Sequence, residues 1–345
     1  MANATPTRLG QNLAAGATDA MFVDLFAGEI LTAYETMVKF APTVRSKTIS
    51  NGKSFKFPAL YKALGQYHVV GTEISGQNIL GTEIVVTTDD LLIAPVEIAE
   101  IDELRNHFDV RAPYARELGN ALALIDDRIT SMSILKAARA AELFTGDGGG
   151  GSVQESDISG SADFTTSGAD LWAAFGRAVR VMDEKDVPVE TSVIHGAVLP
   201  LQWYLMAESE KNINKDYGAG GSVNKHTLNG VNGVQVIKSN ALLFGQDVTA
   251  YDAGSNTDGI VGKPNDYKYG LPANFPTKYQ ADLTGATGPV ALAWQEAAVA
   301  RLQLLGLTTE SEWDMRRQVT LMLAKMSVSA GVLRSKCAVE IKKTA

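Results

Sequence analysis

Residues 48–60 read TISNGKSFKFPAL, and the Gly52-Lys53-Ser54 within them decides what kind of protein this is. A phosphate-cradling loop places another glycine five positions earlier, so that backbone N–H groups wrap the phosphates. It also follows a buried strand and opens a helix. Lys47 stands where that first glycine should be. The preceding VRSKTIS alternates and is polar. The following SFKFPAL alternates and carries Pro58, so it predicts a strand and not a helix. Asn51-Gly52 between two alternating runs predicts a β-hairpin, because both residues tolerate positive φ. The stretch reads as a turn without nucleotide chemistry.

Charge is segregated around this turn. Residues 36–72 contain no acid, whereas Lys39, Arg45, Lys47, Lys53, Lys56 and Lys62 are basic. In residues 73–109 the sign reverses: Glu73, Glu83, Asp89, Asp90, Glu97, Glu100, Asp102, Glu103 and Asp109 face the single base Arg105. A basic block beside an acidic block predicts pairing between segments, within the chain or between copies; two solvated faces are the plainer alternative. The net charge over 345 residues is −8, which makes sequence-independent DNA binding weak at best. No run of eighteen apolar residues occurs, so no membrane span is expected. The start, MANATPTRLGQNLAAGATDA, lacks the apolar core of a signal peptide and reads as a flexible arm. Cys337 is the sole cysteine, and His68, His107, His195 and His226 are scattered, so neither a disulfide framework nor a metal site or other cofactor is expected.

Periodicity gives the organisation. Residues 18–39 carry Phe22, Leu25, Phe26, Ile30, Leu31 and Tyr34 at helical spacing. Residues 43–93 largely alternate through VRSKTIS, KSFKFPAL, QYHVV and EIVVTTDDLLI, an extended β-loop with too few large side chains for a core of its own. Residues 113–144 repeat apolar positions at Leu118, Leu122, Ile125, Ile129, Met132 and Leu135. Pro113 suits the first turn, Gly146 a stop, and Arg116, Asp126, Arg128, Lys136 and Arg139 a charged outer face. At 1.5 Å per residue such a helix is roughly 48 Å long. TGDGGGGSVQESDISGSADF, residues 145–164, reads as a Gly/Ser linker. An α/β segment follows, with a helix at 169–187, a strand at 191–197, a short helix at 199–209 and a strand within 230–242. Residues 245–289 read as a long surface insertion. Strands are expected again at 289–304 and at the C-terminal CAVEIKK.

No catalytic site assembles. There is no Gly-x-Ser-x-Gly elbow. His195 lies in an apolar strand as a core histidine would. Asp126 and Asp127 are neighbours in sequence on a helix, which sets them on different parts of its circumference. Glu100, Asp102 and Glu103 read as a solvated acidic face.

Three stretches then carry a resemblance. FAGEILTAY (26–34), RSKTISNGKSFKFPALYKALGQYH (45–68) and DDLLIAPVEIAEIDELRNHFDVRAPYARELGNALA (89–123) resemble, in this order, the major capsid proteins of short-tailed, T7-like bacteriophages. The matching elements are Gly28-Glu29, Lys47 to Ser54 with lysine in place of an arginine, Asp89 to Leu92, and His107-Phe108-Asp109-Val110-Arg111. The C-terminal segment 294–334 is similar more loosely. The resemblance implies an α+β chain of the Hong Kong 97-type capsid fold. It would have an N-terminal arm (1–44), an extended loop (45–93), a peripheral domain with a spine helix (94–155 and 306–345) and an axial domain (156–305).

It further implies a structural protein rather than an enzyme. Such a protein assembles in the host cytoplasm into the hexamers and pentamers of a virion shell around double-stranded DNA. A separate scaffolding protein and a portal protein are the expected partners besides the chain itself, packaged DNA is contacted only weakly, and the long insertion is open to two readings, a contact particular to this chain or a site for a cement protein. An encapsulin-type compartment is the alternative within the fold, and a soluble α/β enzyme the alternative outside it. The inter-subunit contacts expected are Arg45, Lys47, Lys53, Lys56 and Lys62 against Glu97, Glu100, Asp102 and Glu103 of a neighbour, with Phe55, Phe57 and Tyr61 supplying apolar contact.

Overall fold

The structure is a computed structural model that describes residues 20–74, 76–99, 111–209, 228, 230–246, 248, 275–284 and 288–344. The order is α1 (Ala20–Met37), β1 (Arg45–Thr48), β2 (Ser54–Leu60), β3 (Gly81–Thr87), β4 (Leu92–Ala99), α2 (Arg111–Arg139), β5 (Gly151–Gln154), α3 (Gly168–Asp183), β6 (Ile194–Val198), α4 (Pro200–Glu208), β7 (Val234–Lys238), β8 (Pro289–Gln295), β9 (Val299–Asp314), β10 (Val319–Val332) and β11 (Ala338–Lys342). These build three sheets, ordered β1-β9-β10-β4, β5-β11-β8-β6-β7 and β2-β3. The class is α+β, as expected.

Two compact units divide the chain, and β9, β10 and α2 run through both. The first gathers residues up to Val38 with Asp89–Asp126 and Gln303–Val328. Its core is Ile30, Ala94, Ile98, Ala115, Leu122, Met322, Ala324, Met326 and Val328. β4 pairs antiparallel with β10 from Leu92↔Met326 to Ala99↔Val319. Helix α1 crosses α2 at Gly119, where a Cβ would lie 2.7 Å from the Ile30 carbonyl oxygen and 2.8 Å from Ala33 Cβ. Tyr34 donates its phenol hydrogen to Asp126 Oδ2 at 2.5 Å.

The second unit comprises Lys39–Thr88, Asp127–Leu302 and Ser329–Ala345. Its central strand β8, PVALAWQ, is buried on both faces until its last residue, as a strand covered on two sides must be. Helix α3 buries Leu171, Trp172, Phe175, Ala178 and Met182. Gly196 of β6 lets Phe175 approach, since a Cβ there would sit 2.8 Å from its ring. Trp294 is fully buried, 5.8 Å from Phe40 and 6.0 Å from His195 between ring centroids. Asp127 accepts hydrogen bonds from the backbone N–H of Lys39 (3.1 Å) and Phe40 (3.0 Å).

Several expectations need correction. β1 and β2 are not a hairpin: β1 edges one sheet and β2 pairs with β3 in another. Of Asn51 and Gly52 only the glycine takes positive φ (+112°), so the turn is a corner between sheets. QYHVV forms no strand. The long helix stops at Arg139, not before Gly146, because the glycine tract folds back over its end. Gly150 donates to the Ala140 carbonyl at 2.9 Å, and a Cβ on Gly150 would lie 2.1 Å from the Ala138 oxygen. That tract is therefore no linker; it leads directly into β5, which pairs parallel with β11.

The middle of α2 has no charged outer face either. Asp126, Asp127 and Arg128 are all buried. The described ends of the 245–289 stretch are core as well, with Val248, Phe275, Tyr279 and Leu283 buried. Tyr279 brackets Ala330, accepting from its N–H at 2.8 Å and donating to its carbonyl at 3.2 Å.

Gly119→Ala should destabilise the fold by about 1–3 kcal/mol, because backbone and not a flexible side chain has to yield. A thermal melt followed by circular dichroism would show the lowered midpoint.

Candidate functional site

The extended loop is the feature on which the sequence reading placed its contacts. It starts as a regular ribbon: β2 and β3 pair antiparallel from Ser54↔Thr87 to Leu60↔Gly81. Phe55 and Phe57, 4.8 Å apart edge-on, point with Ile84 into a cluster of Val86, Ala300, Leu302 and Leu333. Val86 lies close to Gly331, where a Cβ would meet it at 2.7 Å. The root of the loop is thus apolar and seated on its own chain, and this is where the expected contact residues Phe55 and Phe57 are found.

Beyond Leu60 the ribbon gives way to irregular chain, closed by Tyr61 N–H to the Leu80 carbonyl (2.9 Å) and by the Gln77 amide bridging Leu64. This distal half presents its apolar residues to solvent. Val70 is 94% and Ile74 74% exposed, and Leu64, Tyr67, Val69, Ile79 and Leu80 are exposed too. Scattered exposed apolar residues are ordinary; here seven fall within twenty residues.

The basic residues have individual placements. Arg45, Lys47 and Lys53 are exposed. Lys47 lies 5.6 Å over the Phe55 ring, a cation–π contact. Lys56 pairs with Glu83 on the returning strand at 2.6 Å, with both side chains more than half exposed. Such a pair contributes about 0–1 kcal/mol. Lys62 pairs with Asp186 just beyond α3, and Tyr61 tilts onto Phe144 with ring centroids 5.4 Å apart. Around this contact lies an open groove of about 260 Å³ whose lining includes Leu60, Phe144, Asp147, Arg334 and Lys336. Lys336 is itself held by Asp147 at 2.9 Å.

Of the acidic partners, Glu97 is exposed and binds Arg317 of its own chain at 3.2 Å. Glu100, Asp102 and Glu103 lie outside the described residues. Asp186 as the partner of Lys62 escaped sequence reasoning; the two stand 124 positions apart.

Among the described residues no group of three His, Cys, Asp or Glu side chains is gathered as a metal would require, and no helix is long and apolar enough to cross a membrane. Burial holds the His195 imidazole below its usual pKa against the opposing pull of Glu296. Burial also pushes the Cys337 thiol up, which keeps it protonated and unreactive.

Comparison with known proteins gives concordant matches. A family described as "Gp10A-like: Major capsid protein" matches residues 56–342. The major capsid protein of Escherichia phage T7 is 28% identical over 334 residues, covering 94% of this chain and 92% of that protein. The major capsid protein of Enterobacteria phage T3 is 26% identical over 345 residues, covering 96% and 94%. Among solved structures, the capsid of cyanophage P-SCSP1u superposes with a TM-score of 0.71 at 29% identity over 99% of both chains. A virus-like particle from Pyrococcus furiosus, at 7% identity and a TM-score of 0.54 (93% and 99% covered), shares the fold alone. The compartment and enzyme alternatives gain no support from these matches.

The hydrogen bond between Lys62 and Asp186 raises the lysine pKa and lowers that of the aspartate. The lowered carboxyl contributes fully above its ordinary value and loses its contribution as pH falls through the folded value, below about 4. The raised ammonium contributes fully below its ordinary value and loses it as pH rises through a folded value above about 10.4. Fluorescence anisotropy of a probe on Val70→Cys should therefore be flat between these limits and fall on either side. Asp186→Asn should remove the acid step.

Proposed function

The chain belongs to the Gp10A-like family of major capsid proteins, and on that premise we propose that its copies form the hexamers and pentamers of an icosahedral shell around double-stranded DNA. It is a shell-forming structural protein of the virion capsid and not an enzyme. Assembly in the host cytoplasm, with a separate scaffolding protein, a portal protein and a cement protein as partners, extends that reading. Contact with packaged DNA is weak in this account, because a net charge of −8 leaves little to hold phosphates.

Within the subunit, residues 1–44 serve as the arm and 45–93 as the loop that reaches a neighbour. Residues 94–155 and 306–345 form the peripheral domain, and 156–305 the axial domain. The observation that carries this reading is the loop's division into a root packed on its own chain and a distal half with exposed apolar residues. A second copy covering that half stabilises the assembly by roughly 25 cal/mol per Å² of apolar surface removed from water.

Arg45, Lys47, Lys53 and Lys62 meet Glu97, Glu100, Asp102 and Glu103 of the next copy and set the direction of approach. Each exposed pair is worth little, so misplaced subunits leave again, while repetition around a closed shell secures the correct arrangement. Phe55, Phe57 and Lys56 act from within the subunit by fixing the ribbon, and Tyr61 does so at its far end.

Lys53→Glu combined with Val70→Asp should leave the circular dichroism spectrum of the subunit unchanged and reduce the yield of closed particles at least tenfold. Negative-stain electron microscopy after co-expression with a scaffolding protein reads that yield. Particles at wild-type yield would remove the loop from the assembly contact.

A further inference from the structure

The loop is held to its subunit in two unlike ways. Its root is apolar and tightly seated, with Phe55, Phe57 and Val86 on Ala300, Leu302 and Leu333, and Gly331 directly under Val86. Its second attachment is small and wet: the Tyr61 ring against Phe144, and the Lys62 ammonium on the Asp186 carboxylate beside an open groove. The Tyr61 hydroxyl comes within 3.3 Å of where a Cβ on Gly146 would be, so the turn after Phe144 is shaped to the ring.

The residue that supplies the carboxylate is unusual for its place. Helix α3 ends with the Val187 N–H on the Met182 carbonyl (3.2 Å) and the Asp186 N–H on the Asp183 carbonyl (2.9 Å). This is the bond pattern of a Schellman ending, and it puts Asp186 in the left-handed position at φ +56°. Glycine occupies that position by default, because any Cβ is strained there. An aspartate at this point gives up some helix-end stability and gains a carboxylate aimed at Lys62.

We propose that Asp186 is a latch for the extended loop: it holds Lys62, at the start of the loop's irregular half, on its own subunit until an acidic residue of a second copy takes its place. The latching half stands on the geometry of one chain, and the exchange half rests on the shell-forming reading above. Lys62 then has two partners in succession. The latch is weak enough to open, because an ion pair in water is easily replaced by another of the same kind.

The test separates a latch from a structural role. Asp186→Gly relieves the left-handed strain, so the melting temperature of the unassembled full-length subunit should be unchanged or higher. Amide hydrogen exchange at Tyr61 and Leu64, whose N–H groups are bonded to the Leu80 carbonyl and the Gln77 side chain, should nevertheless be faster by up to about fivefold, the most an exposed ion pair supplies. Asp186→Asn should speed exchange likewise, and Lys62→Asp with Asp186→Lys should restore wild-type rates. Unchanged exchange in Asp186→Gly, or faster exchange only together with a lower melting temperature, would overturn the latch.

For the exchange half, Asp186→Gly subunits should form particles faster than wild type in a light-scattering assay with the scaffolding protein present. Equal rates would overturn partner exchange while the hydrogen-exchange result stands. Failure of wild type itself to form particles would count against the shell reading and not against the latch.

Discussion

A buried carboxylate sets the frame of this chain. Asp127, near the middle of α2, takes the backbone N–H groups of Lys39 and Phe40 on its two oxygens, where the chain leaves α1 and turns toward β1. Burying an ionised group is costly unless its lone pairs are filled, and here backbone donors fill them. Asp126, one residue before, does the same for the Tyr34 phenol. Phe40, fixed by Asp127, stacks on Trp294, whose indole N–H reaches the Thr43 carbonyl at 3.3 Å. The path of the chain into β1, and from there to the loop root, follows from that anchor. A helix whose residues from Ile125 to Leu135 are all buried has no solvent face from which such an anchor could slip.

The sequence made part of this legible. The two long helices are local objects, with their periods visible inside a window of two or three turns. Their limits were found to within a few residues, except where the glycine tract ended α2 early. The strands β6 and β8 were visible as apolar runs. What could not be read was whatever depends on a distant partner. Asp126, Asp127 and Arg128 look like a solvated face because charged residues on a helix usually are one, and the groups that pay for burying the two carboxylates lie 87–92 positions away. The alternation of residues 45–60 fits a hairpin equally well, and only long-range pairing assigns β1 to β9 and β2 to β3.

The loop shows the same division. Its basic character and its lack of a core were both written locally. The direction in which each side chain points was not: a period of two separates one face from the other without saying which is inward. Phe55 and Phe57 proved to be the inward pair, which leaves the later, irregular residues as the exposed apolar set. Two attachments of different strength then follow from composition, since one is hydrocarbon on hydrocarbon and the other an ion pair in water.

The glycine tract before β5 bears on where this protein tolerates foreign sequence. A run of glycines ordinarily advertises a place to graft a peptide, because linkers absorb added length. Here Gly150 presses against the last turn of α2 with no room for a Cβ, Gly149 lies tight against the residues just after that turn, Lys185 Nζ donates to the Gly149 carbonyl at 2.9 Å, and β5 starts at Gly151. A graft at that point would lift an edge strand and open a helix end together. Gly65 and Gly71, in the irregular half of the loop, have nothing within 4 Å of a Cβ, so among the described residues no neighbour crowds a graft at either point.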